Sequence, residues 1–393
     1  MGAARSMVIV GAGIGGLAAA VVLAKQGWDV DVYDQAHKID PVGAGIQLGP
    51  NAVRVLESIG LRDRISASAV ETTGLTVRAG TNGRVLCDMP HGKAAIDRWG
   101  APFLVIHRGD LQLALLAEAE TLPNIRITLG RRLEELQAKE HGVRAVFSKY
   151  GDETPVDATA LIGADGIWSK TRSFVGLTTP TGFSGCVAWR TTVPVDATPA
   201  WARQPVSNLW LGPGAHVVHY PIRGGALINI VAVVQDSWRE RGWSEAGDIA
   251  WINRRFRTWH SDLGDLIGRA ETWLRWSLFD RPPEWKWTRG TVALLGDAAH
   301  PMLPFMAQGA SQALEDAKVL GDCLAAPGDV SAALLAYQNR RLARTARVQR
   351  AARAQNFAYH ASGLAAGARN LVLSTLGGNG LARRYDWLYG EIV

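Results

Sequence analysis

Residues 7–16 have the sequence MVIVGAGIGG, in which four apolar residues are followed by Gly11, Gly13 and Gly16 in GxGxxG spacing. The apolar run predicts a buried strand, and the alanine- and leucine-rich stretch after the glycines predicts a helix. The alternating sequence Asp29–Tyr33 then predicts a second strand. A strand, a glycine turn, a helix and a strand in this order are typical of the beginning of a parallel sheet.

The glycine turn has the chemistry of a dinucleotide site. Its first glycine permits a tight turn, its second lets the backbone approach a pyrophosphate, and its third lets the helix pack closely on the strand. The helix that follows the turn would present free N–H groups to the phosphates, and Ile14, within the turn, is expected to contact the cofactor. Asp34 lies 23 residues after Gly11 at the end of the second strand, where an acid accepts from ribose hydroxyls. The motif favours an adenine dinucleotide over a glycine-rich packing turn, and it leaves FAD and NAD equally open.

Two later segments each place an aspartate after an apolar strand. Residues 160–166, ALIGADG, contain Asp165, and residues 292–300, VALLGDAAH, contain Asp297. Either aspartate could instead cap the helix that follows it. Neither segment is informative alone. Together with the glycine turn they form a set of three motifs in a defined order along the chain.

With the three motifs in this order, the sequence resembles the single-component FAD-dependent aromatic hydroxylases, a family of flavoprotein monooxygenases, over essentially the whole chain. It is most similar to the salicylate hydroxylase, 3-hydroxybenzoate 6-hydroxylase and 6-hydroxynicotinate 3-hydroxylase branch. Further shared segments are GAGIQLGPN at 43–51, HRGDL at 107–111 and DWLYG at 386–390.

The resemblance implies FAD as the bound cofactor, NADH or NADPH as a transient reductant, and O2. It implies that Asp297 contacts the ribityl or phosphate part of FAD, and that Asp165 lies near the pyrophosphate and the path of NAD(P)H. Arg108 and Leu111 would contact the flavin. Gln47 would lie where the flavin site meets the substrate pocket.

The loop and helix after the third motif are expected to lie against the flavin. A helix is expected from about Ala310 to Leu324, preceded by Pro304 and Gly309. The positive end of its dipole would stabilise an anionic reduced flavin at the pyrimidine edge. Pro304 would fix the loop and line both the cofactor and substrate sites. An ordinary helix start is the alternative.

The tryptophans mark a second region. Eleven of the fifteen lie between Trp189 and Trp287, in a stretch with alternating, strand-like runs. We therefore predict an α/β fold, in which a Rossmann-like FAD-binding domain contains an inserted, mostly β, Trp-rich substrate domain and is followed by a helical C-terminal region. The predicted boundaries are 1–180 and 289–328 for the two parts of the FAD-binding domain, 181–288 for the substrate domain and 329–393 for the helical region.

The substrate site is predicted in this insert. His216 and Tyr220 share one face of a predicted strand, and His219 points to the other. Similarity to the 3-hydroxybenzoate 6-hydroxylase pattern makes His216 and Tyr220 the catalytic pair, and a histidine can take a phenolic proton near neutral pH. A buried histidine without a catalytic role is the alternative. Arg190 and Arg223 are predicted to bind a substrate carboxylate through bidentate hydrogen bonds, or else to be structural.

Two positions depart from the branch. Its 6-hydroxynicotinate enzymes carry a histidine where this chain has Gln47, which disfavours that substrate. The 3-hydroxybenzoate pattern has a glutamine where this chain has Pro304, whereas the salicylate-type enzymes tolerate proline there. The exact substrate and the ring position attacked are therefore left open.

The composition is that of a folded protein, with 47% hydrophobic and 20% charged residues among 393. The three cysteines form no CxxC pair, which predicts no metal site and a reducing cytoplasm. The net charge is +6, and the arginines at 341, 344, 347, 350 and 353 predict a solvated helix face or a contact with an acidic subunit surface. We expect no nucleic-acid partner and no stable membrane insertion. A homodimer is implied by the family, and residues 377–380 are expected to form a loop.

These observations predict an NAD(P)H-consuming, FAD-dependent monooxygenase. By resemblance it would hydroxylate the ring of a small hydroxylated aromatic acid, salicylate- or 3-hydroxybenzoate-like, through a flavin hydroperoxide. One alternative is oxygenation of a non-phenolic or N-heteroaromatic substrate on the same fold. An alternative of another class is a flavin-binding regulatory or interaction protein whose arginines contact an acidic partner.

Overall fold

The structure is a computed structural model that describes residues 5–39, 44–240 and 245–391, so Gly43 of the shared segment 43–51 lies outside it. The first predicted unit is present: strand Ser6–Val10, helix Ile14–Ala24 and strand Asp29–Asp34, with the two strands parallel. The turn requires glycine. Gly11 has φ +109°, and a Cβ at Gly16 would lie 1.9 Å from the carbonyl oxygen of Gly11.

A six-stranded sheet is the centre of the FAD-binding part. Its strands are parallel except for the antiparallel edge strand Thr288–Arg289. The strand order across the sheet is Thr288–Arg289, Val292–Leu294, Ala160–Gly163, Ser6–Val10, Asp29–Asp34 and Ile125–Leu129. The three strands that precede the sequence motifs are therefore neighbours. Because they are parallel, their motifs meet at one edge of the sheet, where dinucleotides bind in such folds.

An eight-stranded sheet forms the second layer. It contains the predicted β strands of the insert and also two strands from outside it, Gly74–Ala79 and Val85–Pro90. The order is Glu245–Ala246, Leu274–Asp280, Gly182–Pro194, Leu227–Gln235, Ala215–Ile222, Val206–Gly212, Gly74–Ala79 and Val85–Pro90. One face is covered by helices Ile249–Phe256 and Ser261–Gly268, and the buried residues between them include Trp189, Trp210 and Trp273.

Two small sheets and a set of helices complete the fold. The sheets consist of Gly45–Leu48, Leu104–His107 and Val70–Glu71, and of Arg132–Lys139, Gly142–Lys149 and Asp152–Ala158. The remaining helices are Pro50–Ser58, Arg62–Ser66, Lys93–Trp99, Arg108–Glu120, Thr171–Phe174, Gly309–Leu324, Val330–Tyr359, Gly363–Arg384 and Asp386–Tyr389. Short 3-10 turns lie at Val195–Ala197, Ala200–Arg203, Arg223–Gly225, Gly296–Ala298 and Pro304–Met306. Within the described ranges, no helix has the length and apolar character needed to cross a membrane.

Two expectations for the C-terminal region are wrong. Residues 377–380 lie within helix Gly363–Arg384, which kinks at Gly377 (φ +61°). A Cβ at Gly378 would lie 1.8 Å from the carbonyl oxygen of Asp88, so this glycine lets the helix contact a strand backbone. The arginines of helix Val330–Tyr359 are not all solvated either. Arg341 and Arg344 are buried because they pair with acidic side chains of helix Gly309–Leu324.

Candidate active site

The glycine turn leaves open space beside the first helix. A Cβ at Gly13 would meet no described atom within 4 Å, and helix Ile14–Ala24 has no side-chain cap. Its first N–H groups are therefore available to an anion. Ile14 is buried beneath this turn. Gln112 donates from Nε2 to the Ala12 carbonyl oxygen at 2.8 Å and holds the turn in place. The turn fits the pyrophosphate of a dinucleotide.

Asp34 stands beside the turn. Its carboxylate accepts from the Ala12 N–H at 2.7 Å and from the Ala36 N–H at 2.8 Å. A carboxylate has about four lone-pair sites, so two remain for a ribose hydroxyl. Asp34 thus both supports the turn and can bind the nucleotide.

Asp165 is engaged in the turn that follows its strand. Its Oδ2 accepts from the backbone N–H groups of Lys170 and Thr171 and from the Thr171 hydroxyl, at 2.8, 3.1 and 3.0 Å. This oxygen therefore caps the start of helix Thr171–Phe174, as in the alternative interpretation of the aspartate. The other oxygen, Oδ1, is buried and has no hydrogen-bond partner among the described residues. Burial raises the pKa of Asp165.

Asp297 and Arg108 are electrostatic neighbours at the same edge of the sheet, where Asp297 is still partly open to solvent. Desolvation by the surrounding protein raises the pKa of Asp297, while His300 and Arg108 act in the opposite direction. Burial lowers the pKa of Arg108, and Asp297 opposes that change. The Asp297 Oδ1 would be 4.0 Å from a Cβ at Gly309. The third motif therefore lies against the beginning of helix Gly309–Leu324.

That helix begins without a side-chain cap. The side chain of Gln308, its N-cap residue, accepts instead from Asn51 Nδ2 at 3.0 Å and from Gln312 Nε2 at 3.2 Å. The N–H groups around Gly309 and Ala310 are then free to bind an anionic ring edge. Pro304 begins the 3-10 turn just before, and Leu111 is fully buried in the core beneath.

A buried ionic network supports this helix from below. Arg344 binds Glu315 through Nε and Nη2 at 2.6 and 2.7 Å, and Arg341 bridges Glu315 and Asp316 at 2.6 and 2.7 Å. Asp316 also accepts from His300 at 2.6 Å. Burial alone would raise the pKa of Asp316, but His300 and Arg341 hold it at about 2.

One face of the eight-stranded sheet carries residues of the predicted substrate site. The register aligns His216 with Val233, Val218 with Val231 and Arg190, and Tyr220 with Asn229. Residues that lie opposite each other in a ladder share a face. Arg190, His216, Tyr220 and Asn229 therefore lie on one face, as the alternation predicts for the histidine and the tyrosine.

The small sheet closes one end of this face. The Gly45 N–H donates to Asn229 Oδ1 at 2.7 Å, and a Cβ at Gly45 would lie 2.6 Å from the Tyr220 ring. Gln47 is two residues along the same strand, so its side chain is on the side that meets Tyr220. Burial raises the pKa of Tyr220.

Arg190 is a cation without a carboxylate partner among the described residues, and its buried Nε makes no hydrogen bond there. Its guanidinium lies 3.9 Å from the centroid of the Trp276 ring. Burial lowers the pKa of Arg190 to about 10, with Tyr220 and Arg108 as its electrostatic neighbours. A largely buried guanidinium in this state fits an incoming anion.

Arg223 is not brought to this face. Its guanidinium is half-exposed and pairs with Asp110 at 3.3 Å. The residue sits in a 3-10 turn beyond the end of the strand, which carries its side chain away from Arg190 and Tyr220. The structure thus gives Arg190 and Arg223 different surroundings.

His216 and His219 have different environments too. His216 Nδ1 is hydrogen-bonded to His360 Nε2 at 2.8 Å, and its ring lies 5.4 Å from that of Phe305. Burial lowers the pKa of His216 well below its usual value, with His360 adding to the effect. His219 faces Trp201 and Trp210 on the other side of the sheet. His216 therefore lies on the side of the sheet that carries Phe305, and its burial favours the neutral imidazole.

Sequence reasoning missed three residues of this site: Asn229, His360 and Gln112. Asn229 is recognisable only once its strand is paired with that of Tyr220. His360 is 144 residues from His216 along the chain, and no local pattern connects them. Gln112 follows the shared segment 107–111 directly, so its position was the one available signal.

The chain is similar to known flavoproteins. The family model "FAD binding domain" matches residues 5–352. A 3-amino-4-hydroxybenzoate 2-monooxygenase of Streptomyces cremeus is 38% identical over 88% of this chain and 86% of its own. A 3-hydroxybenzoate 6-hydroxylase of Polaromonas naphthalenivorans is 36% identical over 98% and 95%.

Solved structures are similar over the same length. The crystal structure of Klebsiella pneumoniae HpxO complexed with FAD and uric acid has a TM-score of 0.87 and 26% identity, over 98% of this chain and 97% of that one. A salicylate hydroxylase substrate complex has a TM-score of 0.82 and 26% identity, over 99% and 96%.

Proposed function

The chain belongs to the family of FAD-dependent aromatic hydroxylases, and from this premise we propose that it hydroxylates the ring of a small aromatic acid that carries a phenolic hydroxyl. The observation that carries the proposal is Arg190, a largely buried cation without a carboxylate partner in the described chain, on the same sheet face as the neutral His216. The one would bind a carboxylate and the other a phenol.

Several described residues would hold FAD. The turn at Gly11, Gly13 and Gly16 would take the pyrophosphate, and Asp34 a ribose. Asp297, Arg108 and the free N–H groups at the start of helix Gly309–Leu324 would surround the flavin and its ribityl chain. Bound FAD supplies the electron transfer from NADH or NADPH and the activation of O2. Asp165 keeps one buried, unpartnered oxygen for a ligand at this edge.

The chain's own residues would prepare the substrate. His216 accepts the phenolic proton at Nε2, which makes the ring a better carbon nucleophile. Arg190 fixes the carboxylate, and Tyr220 and Gln47 bound the ring at the end closed by the small sheet. The apolar side chains of Phe305 and Val218 exclude water from the reacting carbon.

The first test is NADH or NADPH consumption with product masses read in the same tubes. The substrates are 3-hydroxybenzoate, 3-amino-4-hydroxybenzoate, salicylate and 6-hydroxynicotinate. We expect one of the carboxylated phenols to gain one oxygen atom, or to exchange its carboxyl group for a hydroxyl.

His216→Ala should retain FAD and lower hydroxylation by about 10²–10⁴-fold, the usual range for a general base. Arg190→Met should raise the KM of the acid while leaving that of the matching phenol without a carboxylate unchanged. Equal losses on the acid and the plain phenol would remove Arg190 from the proposal. Unchanged product formation in the His216 variant at every pH would remove the base.

A second candidate is the oxygenation of an N-heteroaromatic ring. It is favoured by the structural similarity to a flavoprotein solved with uric acid. Turnover of uric acid or 6-hydroxynicotinate, without turnover of any benzoate, would establish it. In this candidate function Arg190 would bind the ring in an anionic form.

We also propose a cytoplasmic location and a homodimer. The location is supported by Cys87, Cys186 and Cys323, which are free thiols in the structure. The homodimer is implied by the family, and sedimentation of the purified holoprotein would test it. The absence of a nucleic-acid partner stays a prediction, which a filter-binding assay would check.

A further inference from the structure

We propose that His360 is a positioning residue of this reaction, which holds His216 in the tautomer with a free Nε2 and receives the proton that His216 takes from the substrate. The inference rests on the proposed function, because it concerns the base of that reaction. Its basis is a continuous chain of buried polar atoms that runs from the substrate face of the sheet to the end of the long helix Val330–Tyr359.

The two imidazoles are in direct contact. His216 Nδ1 and His360 Nε2 are 2.8 Å apart, and the ring planes are inclined by 27° with centroids 5.1 Å apart. Both side chains are buried. The carbonyl oxygen of His360 accepts from the Gly214 N–H at 3.0 Å, which fixes the helix end to the hairpin that carries His216. The contact is therefore a feature of the backbone arrangement as well as of two side chains.

The chain of atoms continues beyond His360. Its Nδ1 lies 3.9 Å from Cys186 Sγ, and Cys186 Sγ donates to Asn356 Oδ1 at 3.4 Å. An amide oxygen only accepts, and a thiol has one hydrogen. Since that hydrogen is directed at Asn356, the sulfur accepts from His360, so His360 carries its hydrogen on Nδ1.

The tautomer of His216 follows from the same count. A neutral imidazole has one N–H, so His360 Nε2 is a bare acceptor. His216 must then donate to it from Nδ1, and its own Nε2 is left with a lone pair. Nε2 makes no hydrogen bond to the described part of the chain. The free lone pair is what a general base needs in the substrate cavity.

The phenolic proton would move in two steps, first to His216 and then, by exchange, to His360. The phenolic O–H bond breaks, its electron pair stays on the oxygen, and an N–H bond forms at His216 Nε2. The Nδ1 proton of His216 then passes to His360 Nε2, so the positive charge moves to the end of the long helix. The partial negative charge of the helix C-terminus offsets part of the penalty that burial, Arg255 and Arg369 impose on a cation there.

The surroundings keep both rings neutral before substrate binds. Burial lowers the pKa of His360 to about 4, with Arg255 and Arg369 adding to the effect. The groups that face the pair are the Cys186 thiol, the Asn356 amide, the Tyr359 and Phe305 rings and these two arginines. Within the described residues, no carboxylate forms an ion pair with either histidine. The pair thus accepts a proton only when the phenolate remains beside it.

Two variants separate the two roles of His360. In His360→Gln the amide oxygen can still accept from His216 Nδ1, so the tautomer is kept and the proton transfer is lost. In His360→Leu both are lost. We expect kcat to fall less than about tenfold in the first and about 10–100-fold in the second, at most the lower end of the roughly 10²–10⁴-fold that a general base itself contributes, with KM changed less than about threefold.

The pH profile distinguishes this role from a structural one. At high pH a phenol ionises without help, since its pKa is near 10. The ratio of wild-type to His360→Leu activity should therefore shrink as the pH is raised from 6 to 10. His219→Phe, on the other face of the same strand, is the matched control and should retain wild-type activity and profile. A loss that is equal in both His360 variants and independent of pH would overturn the inference.

A measurement without turnover keeps the two proposals separate. Ring ¹⁵N–¹H correlation spectra of the holoprotein report which nitrogen of His216 carries the hydrogen. We expect Nδ1–H in the wild type and in His360→Gln, and a mixture of tautomers in His360→Leu. Nε2–H in the wild type would refute the role of His360 whether or not a phenol is the substrate, whereas Nδ1–H without phenol turnover would count against the proposed function alone.

Discussion

At the scale of single residues, strand Ala215–Ile222 places two histidines in opposite environments. His216 has a hydrogen-bonding partner, whereas both ring nitrogens of His219 are buried without one among the described residues. The two-residue period of a strand is the cause, because it directs side chains three positions apart to opposite faces. The alternation was visible in the sequence. The neighbours that give each ring its chemistry were not, because Trp201, Trp210 and His360 are remote along the chain.

His219→Phe should stabilise the protein. A buried polar group without partners costs about 1–3 kcal/mol of folding free energy. The substitution removes this cost and keeps an aromatic ring beside Trp201 and Trp210. The pH dependence gives a second signature. Burial, followed by Arg78, lowers the pKa of His219 to about 3, below the usual value of 6.5. The unfolded chain therefore binds more protons between these values, and the wild type loses stability as the pH falls below 6.5.

Urea unfolding followed by tryptophan fluorescence at pH 8 and pH 5 checks this. The difference between variant and wild type should widen by about 2 kcal/mol at pH 5. The other buried histidines titrate in both proteins, so their contributions cancel. A difference that does not grow on acidification would mean that His219 finds a partner in solution.

At the scale of elements, the sequence predicted what depends on local pattern. The helix expected from Ala310 to Leu324 is Gly309–Leu324, and the strand expected at His216–Tyr220 is Ala215–Ile222. The helical residues after Gly377 were missed, because four residues rich in glycine predict a loop by propensity, and Gly377 itself has non-helical backbone angles. Tertiary packing overrides that propensity, since the close approach to Asp88 admits only glycine at position 378.

The glycine turn provides a matched pair of variants. Gly13→Ala places its methyl group in open space, so the protein should fold and melt as the wild type does without cofactor, yet bind FAD weakly because the methyl group occupies the pyrophosphate space. Gly16→Ala would place a Cβ 1.9 Å from the Gly11 carbonyl oxygen, so the glycine turn and the start of helix Ile14–Ala24 should be disrupted.

Circular dichroism melting of the apoproteins and flavin content of the holoproteins measure the two effects separately. Gly13→Ala should lose flavin and keep its melting temperature. Gly16→Ala should lose both. Full flavin retention in Gly13→Ala would place the pyrophosphate elsewhere.

At the scale of the whole molecule, the long helix Val330–Tyr359 connects the two layers. Its first half binds helix Gly309–Leu324 through Arg341 and Arg344, and its end binds the eight-stranded sheet through His360. The helix and the spacing of its arginines were predictable from the sequence. It could not give their burial, because Glu315 and Asp316 belong to another helix and the charge pattern of a solvated face is the same. For the same reason, the motifs of the candidate site could be predicted from the sequence. Pairs of residues that are remote along the chain, such as His216 and His360, could not.

Two arginines of this helix should contribute very differently to stability. Arg341→Met leaves Glu315 and Asp316 buried with less compensation, and breaking a buried ion pair in this way costs about 3–5 kcal/mol. Arg353→Met removes a pair with Asp280 in which the arginine is 38% and the aspartate 13% exposed, so solvent screens one partner and the expected loss is smaller, about 1–2 kcal/mol. Since the long helix contacts both layers, Arg341→Met should lower the midpoint of flavin release and the midpoint of tryptophan fluorescence together in one urea titration. Arg353→Met should shift both midpoints in the same direction but by a clearly smaller amount. Flavin release that shifts alone would show that the network stabilises only helix Gly309–Leu324 and that the two layers unfold separately.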